Sequence, residues 1–269
     1  WYPTDRMPEG DESRRNDIYG ITHVHHFYTK RNLWVLAIMI NASKDSKKSL
    51  FKVWLTSSML RTSKLYKFTL DRKMGTVTGT YYIPSLFTEN SPFKLLKYKL
   101  KDFLMINYPE QNNVITQCSS LISISNVVNN SIDYIFTDPP FGANLMYSEL
   151  NFLWEAWLKV FTNNKSEAVI NKTQQKGLPE YQKLMEKCFS EMYRILKPGR
   201  WMTVEFHNSK NSVWNAIQEA VMKAGFVIAG VKTLDKKQGS FKQVTTTTAT
   251  KQDLVISAYK PKDSFIKGL

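Results

Sequence analysis

The stretch that most constrains this chain is Asp133-Tyr134-Ile135-Phe136-Thr137-Asp138-Pro139-Pro140-Phe141-Gly142. Its apolar run predicts a strand over 132–137. Two successive prolines cannot extend a sheet ladder, so the strand must stop at Asp138. The chain then continues as a stiff loop with a carboxylate at its base. Pro139 and Pro140 donate no N–H, yet their carbonyls still accept, and Phe141 adds a flat apolar face. An acid, a fixed carbonyl and an aromatic ring at the carboxyl end of a strand suit a planar group that bears an amine.

The surrounding texture is α/β from residue 113 onward. Val114-Ile115-Thr116 and Trp201 to Phe206 read as strands, and Phe226 to Leu234 and Leu254 to Tyr259 as a terminal strand pair. Leu145 to Phe161 reads as a helix. Pro179 suits the first turn of another, whose stripe of Tyr181, Leu184, Met185, Cys188, Phe189, Met192 and Ile195 has helical spacing. Val213 to Ala224 is a third, closed by Gly225 in the left-handed region. Residues 162–178 read as a loop, and Lys236 to Thr250 as a basic loop or hairpin. The first 112 residues differ. Asn32 to Ala42 and Ser49 to Tyr66 read as helices, 67–87 as strand, turn and strand, and Lys94 to Lys101 as a basic amphipathic stretch. The expected organisation is a helical and β region over 1–112, an α/β part over 113–260 and a tail over 261–269.

The chain has 269 residues and a net charge of +14, which favours a polyanionic partner. Its two cysteines, Cys118 and Cys188, form no C-x-x-C pair, and His23, His25 and His26 have no acidic or cysteine partner nearby in sequence. No metal site is expected. The longest apolar run, Leu33 to Ile40, is too short to span a bilayer, and reduced cysteines fit a cytoplasmic setting. The chain starts at Trp1, which is expected of a fragment or a processed product.

The Asp138-Pro139-Pro140-Phe141 segment resembles the D-P-P-Y/F motif of S-adenosylmethionine (SAM)-dependent amino-methyltransferases of DNA. The resemblance extends to Asn144-Leu145-Met146-Tyr147-Ser148-Glu149-Leu150, Leu196-Lys197-Pro198-Gly199-Arg200, Phe206-His207-Asn208 and Asp253-Leu254-Val255-Ile256, in the order used by bacterial DNA methylases. Tyr28-Thr29-Lys30-Arg31-Asn32-Leu33 is also similar to a segment of those proteins. The resemblance implies a Rossmann-like methyltransferase fold with an N-terminal helical and β insertion, SAM as cofactor and DNA as partner. It also implies a bacterial cytoplasmic setting such as restriction–modification or phage defence.

Its implied chemistry is methylation of an exocyclic amine, adenine N6 or cytosine N4. Asp138 and the Pro139 carbonyl would accept the two N–H bonds, with Pro140 stiffening the loop and Phe141 stacking on a flipped base. Asn144, Tyr147, Glu149, His207 and Asn208 would line the substrate side, and Asp138 and Cys118 would border the cofactor pocket. The family's glycine-rich F-x-G-x-G loop is not in this sequence, so an incomplete sheet is expected, with the missing part of the protein upstream and one side of strand 132–137 left unpaired. The rivals are a methyltransferase acting on an RNA base or a protein glutamine, and a non-catalytic DNA-binding module.

Overall fold

A computed structural model describes residues 1–44, 49–71, 74–105, 114–208, 210–235 and 252–262. All of the expected 236–250 connection and most of the 261–269 tail lie outside the described residues. The chain divides into two units, Trp1–Ile115 with Met146–Asn163 and Thr116–Leu145 with Asn164–Leu269. Among the described residues no helix is long and apolar enough to cross a membrane.

The first unit is helical: α1 (Lys30–Lys44), α2 (Ser49–Met59), α3 (Pro92–Leu104) and α4 (Tyr147–Leu158). Phe27, Leu36, Leu55, Leu96, Leu153 and Trp157 form its apolar centre. The Thr29 hydroxyl accepts the Asn32 N–H at 3.3 Å, capping the start of α1. Asn32 is itself buried and donates to the Thr62 and Asn90 carbonyls, each at 2.9 Å, so the first turn of α1 is tied to two separate loops. The helix expected over Ser49 to Tyr66 ends at Met59. The Thr62 hydroxyl sits 3.0 Å from the Ser58 carbonyl and 2.9 Å from that of Met59. Side-chain hydroxyls thus compete for the last helical carbonyls.

The strands expected over 67–87 do not form. Among its described residues this segment makes only single bridges, Lys67 to Gly75 and Lys67 to Phe87. Leu70 is 92% exposed and Phe68 is 43% exposed, so alternating apolar residues found no layer to pack on. Tyr81 is the exception. Its buried hydroxyl lies 2.7 Å and 2.8 Å from the Glu149 and Leu150 carbonyls, and burial pushes its pKa up.

The second unit carries β1 (Ile132–Thr137), α5 (Leu178–Ile195), β2 (Leu196–Phe206), α6 (Asn211–Lys223), β3 (Val227–Asp235) and β4 (Gln252–Tyr259). They form one open α/β sheet in the order β1-β2-β4-β3. β1 and β2 are parallel, and β4 runs against both β2 and β3. The expected strand at Val114-Ile115-Thr116 is absent, with Ile115 90% exposed. β2 starts at Leu196, directly after α5, instead of at Trp201. Its pairing with β1 jumps from Ile132–Leu196 to Tyr134–Trp201, a bulge that accommodates Pro198 and the left-handed Gly199.

The sheet is packed on one face. Met202, Val204, Phe206, Ile256 and Ala258 are fully buried in one cluster with the apolar stripes of α5 and α6. Tyr134, Phe136 and Trp201 point to the opposite face and are 54%, 60% and 46% exposed. Among the described strands β1 is an edge.

Within the first unit the Glu149 carboxylate is the main polar tie. It is 3% exposed, and its Oε2 accepts the Glu12 N–H, the Ser13 N–H and the Ser13 hydroxyl, each at 3.0 Å. Gly10 packs against the same carboxylate, where a Cβ would stand 2.1 Å from its carbon. Glu149→Gln should therefore lower the stability of this unit by about 1.5–3 kcal/mol, the usual worth of hydrogen bonds to a charged group. Urea unfolding followed by tryptophan fluorescence measures this, and an unchanged midpoint would refute the tie.

Candidate functional site

The parallel pairing of β1 and β2 places the carboxyl ends of both strands on one edge of the sheet. Asp138, Pro139, Pro140 and Phe141 leave β1 there, and His207 and Asn208 leave β2. Open α/β sheets bind ligands at such an edge.

The loop after β1 is held by three carbonyl contacts. The Tyr181 hydroxyl on α5 donates to the Pro140 carbonyl at 2.5 Å. The Asn208 side-chain amide donates to the Phe141 carbonyl at 2.9 Å, and the Ile170 N–H to that of Gly142 at 3.2 Å. Asn208 is oriented in turn by the Lys210 N–H on its Oδ1, 2.8 Å away. Gly142 takes a φ of 73°, in the left-handed region, which lets the chain turn out of the proline pair. Pro139 is buried and Asp138 is exposed.

Phe141 stands edge-on to Phe206 at 5.3 Å between ring centroids, and its ring is 6.1 Å from that of His207. The His207 Nδ1 lies 2.7 Å from an oxygen of Asp253, whose side chain is 3% exposed. In that geometry Nδ1–H donates to the carboxylate, which leaves Nε2 as the proton-accepting nitrogen of the neutral ring.

The structure thus brings Asp138, Pro139, Pro140, Phe141, His207 and Asn208 to one sheet edge. Asn144 is exposed in the same unit and does not cap α4, which starts at Tyr147 after Met146. Tyr147 and Glu149 belong to the first unit, where Tyr147 is 39% exposed and Glu149 is engaged with Glu12 and Ser13. Cys118 is an exposed free thiol in the second unit, while burial pushes the Cys188 thiol up to about 11. His23, His25 and His26 pack together in the first unit with centroids 4.3–5.6 Å apart. Among the described residues no group of three histidines, cysteines or acids could hold a metal.

Sequence reasoning missed two side chains here. Tyr181 reads only as part of an apolar stripe, and Asp253 only as the first residue of the Asp253-Leu254-Val255-Ile256 segment of the resemblance. Their roles depend on pairings across the fold that no local pattern carries.

A family model described as DNA methylase matches residues 132–267. No curated protein matches the chain. Several solved structures do. One is a SAM complex of a Thermus thermophilus protein described as a DNA modification methylase. It is 14% identical over 53% of this chain and 54% of its own, with a TM-score of 0.32. A SAM complex of M1.HpyAVI is 15% identical over 51% of this chain and 46% of its own, with a TM-score of 0.28. A SAM-dependent methyltransferase of Methanosarcina mazei is 12% identical over 65% and 80%, with a TM-score of 0.32. The chain spans about half the length of the first structures it matches.

Tyr181→Phe removes one donor and leaves the ring in its core position. It should destabilise the second unit by about 1 kcal/mol, the worth of one hydrogen bond, with an unchanged circular dichroism spectrum. Chemical denaturation of the two proteins side by side tests this. An equal midpoint would mean that the Pro140 carbonyl is not restrained by Tyr181.

Proposed function

We propose, from the premise that this chain belongs to the DNA methylase family, that it takes part in SAM-dependent methylation of an exocyclic base amine in DNA. The observation that carries the proposal is the braced Asp138-Pro139-Pro140-Phe141 loop beside the His207–Asp253 pair, at one edge of the sheet. An exocyclic amine is a poor nucleophile because its lone pair is delocalised into the ring. In this reading the Asp138 carboxylate and the Pro139 carbonyl accept its two N–H bonds. The nitrogen then moves towards tetrahedral geometry with its lone pair localised. A loop whose next three carbonyls are tied down holds that geometry with little reorganisation.

SAM, when bound, supplies an electrophilic methyl group on a sulfonium. No glycine-rich loop stands in the sequence to hold its nucleoside, so the reading concerns the acceptor side. There, Phe141 offers an aromatic face for a flipped base, which repays about 1–3 kcal/mol of the unstacking cost. The methylated nitrogen must lose one proton. His207, oriented by Asp253 through Nδ1, accepts it at Nε2. Asn208 positions the loop through the Phe141 carbonyl, and Asn144 completes the substrate side. Adenine N6 and cytosine N4 both present the required amine.

The finer setting is part of the same reading: a bacterial cytoplasm, with restriction–modification or phage defence as the purpose. The net charge of +14 and the exposed Lys94, Lys97 and Lys101 of α3 suit a DNA partner. Strands bearing a glycine-rich loop would pair with the edge of β1, supplied by a part of the protein outside these residues. These 269 residues alone should then bind SAM more weakly than micromolar. Calorimetry giving micromolar binding would overturn that division of labour.

Asp138→Ala in the full-length gene product should abolish methyl transfer while leaving DNA affinity within a few-fold. Incorporation of labelled methyl groups into DNA, with the modified base identified by mass spectrometry, reads the first. A gel-shift titration reads the second. Near-normal turnover by the variant would sink the mechanism.

A further inference from the structure

The first unit holds a cavity of about 800 Å³ that the methyl-transfer reading does not use. Its size lies within the range of small-molecule sites, about 300–1,000 Å³. Lys30 and Lys64 line it, together with His25, His26 and the rings of Tyr19 and Trp34. Among the described lining residues none is acidic. Two carboxylates elsewhere in the unit are already neutralised: Asp17 by Arg6 and Arg14, and Glu89 by Arg31.

The lining separates into two kinds of group. Lys30 opens α1, and the N-terminal end of a fifteen-residue helix adds its own partial positive charge. The Lys64 ammonium is anchored by donating to the His26 carbonyl at 2.8 Å, which fixes the charge at the wall. Burial holds the pKa values of Lys64, His25 and His26 below their usual ranges, with histidine neighbours adding to the effect on the two rings. An anion in the cavity relieves that cost for each of them. Against this charged wall stand Tyr19 and Trp34, 73% and 67% exposed. These open aromatic faces line the same cavity as the lysines and offer a surface on which a base can stack.

From this juxtaposition we infer that the cavity is a nucleotide-binding site: a base stacks on Trp34 or Tyr19 while its phosphate meets Lys30 and Lys64. The ligand chemistry is a nucleoside phosphate. The observations favour one nucleotide of an unpaired DNA strand, because the aromatic wall is open to solvent and accepts a polymer that continues past it. The inference is independent of the methyl-transfer reading, which rests on the second unit.

The test is a fluorescence-anisotropy titration of the whole chain with a labelled six-nucleotide single strand of DNA, with unlabelled adenosine monophosphate and a DNA duplex as competitors. Trp34→Ala and Tyr19→Ala change exposed rings and should leave the unfolding midpoint in place. At least one of them should weaken the single strand by about tenfold, the order that stacking of one base supplies. Lys30→Gln should lower the salt slope by about 0.7, the worth of one phosphate contact to a single strand. Displacement by adenosine monophosphate at concentrations near the strand's own dissociation constant would assign the site to free nucleotides and overturn the strand assignment. Displacement only by nucleic acid assigns it to a strand. Unchanged strand affinity in all three variants, with their folds intact, overturns the inference. Ser190→Ala, at an exposed position of α5 in the second unit, serves as the control: it should bind the labelled strand as the unmodified chain does, whether or not methyl transfer is ever detected.

Discussion

The parallel pairing of β1 with β2 is the constraint on which the second unit depends. It sets two chain segments side by side, and both leave the sheet in the same direction. Without it Asp138 and His207 would have no reason to share an edge. The apolar support for the pairing comes from the face where Met202, Val204 and Phe206 are sealed beneath α5 and α6, while the Tyr134–Thr203 hydrogen bond ties the two strands on the other. At about 1.5–3 kcal/mol for each fully buried large apolar side chain, that layer fixes the register. A slip by one residue would send the same side chains to the exposed face. The site geometry is therefore a by-product of core packing. The core chooses which residues point down, and the prolines decide where the strand ends.

Much of this second unit was legible because its patterns are local. Asp138-Pro139-Pro140 marks a strand end by itself. The stripe from Tyr181 to Ile195 gives α5, and Gly225 closes the turn after α6 in the left-handed region. Other features were not legible, for three different physical reasons. Leu196 joins β2 because a bulge absorbs Pro198 and Gly199, and a bulge depends on the partner strand. Phe68 and Leu70 have strand-like alternation but no layer to cover them, whereas Tyr81 further on is buried in the first unit's core. The helix after Ser49 stops at Met59 because hydroxyls of Thr62 and Ser63 take carbonyls that a longer helix would have used.

Glu149 shows how a motif's order can be read correctly while the work of one member stays hidden. In sequence it comes soon after the Asp138 loop. In the structure its carboxylate receives two backbone N–H groups and a hydroxyl from residues 12 and 13. A carboxylate with three donors organises the loop that supplies them, so the N-terminal segment is folded around a side chain contributed from beyond β1. The first unit is thus discontinuous in sequence, and residues 146–163 belong to it as much as the first hundred do. Proximity along the chain assigns α4 to the sheet. Only the hydrogen bonds reveal the other allegiance.

The exposed side of β1 raises a different question of balance. Tyr134 and Phe136 each leave more than half of their surface in water, although the residues paired with the buried face are fully covered. An edge strand with large apolar side chains is a template for unwanted pairing. Two features counter this. The Tyr134 hydroxyl donates to the Thr203 hydroxyl at 2.6 Å, which satisfies the polar tip of the ring. Asp133 attracts Lys197 at 2.9 Å and Arg200 at 3.2 Å, which places charges at the start of the strand. Exposed ion pairs of this kind contribute little to stability, about 0–1 kcal/mol. Both partners of Asp133 lie on β2, so these pairs and the Tyr134–Thr203 bond tie β1 to the strand it already has and give its exposed rings polar surroundings.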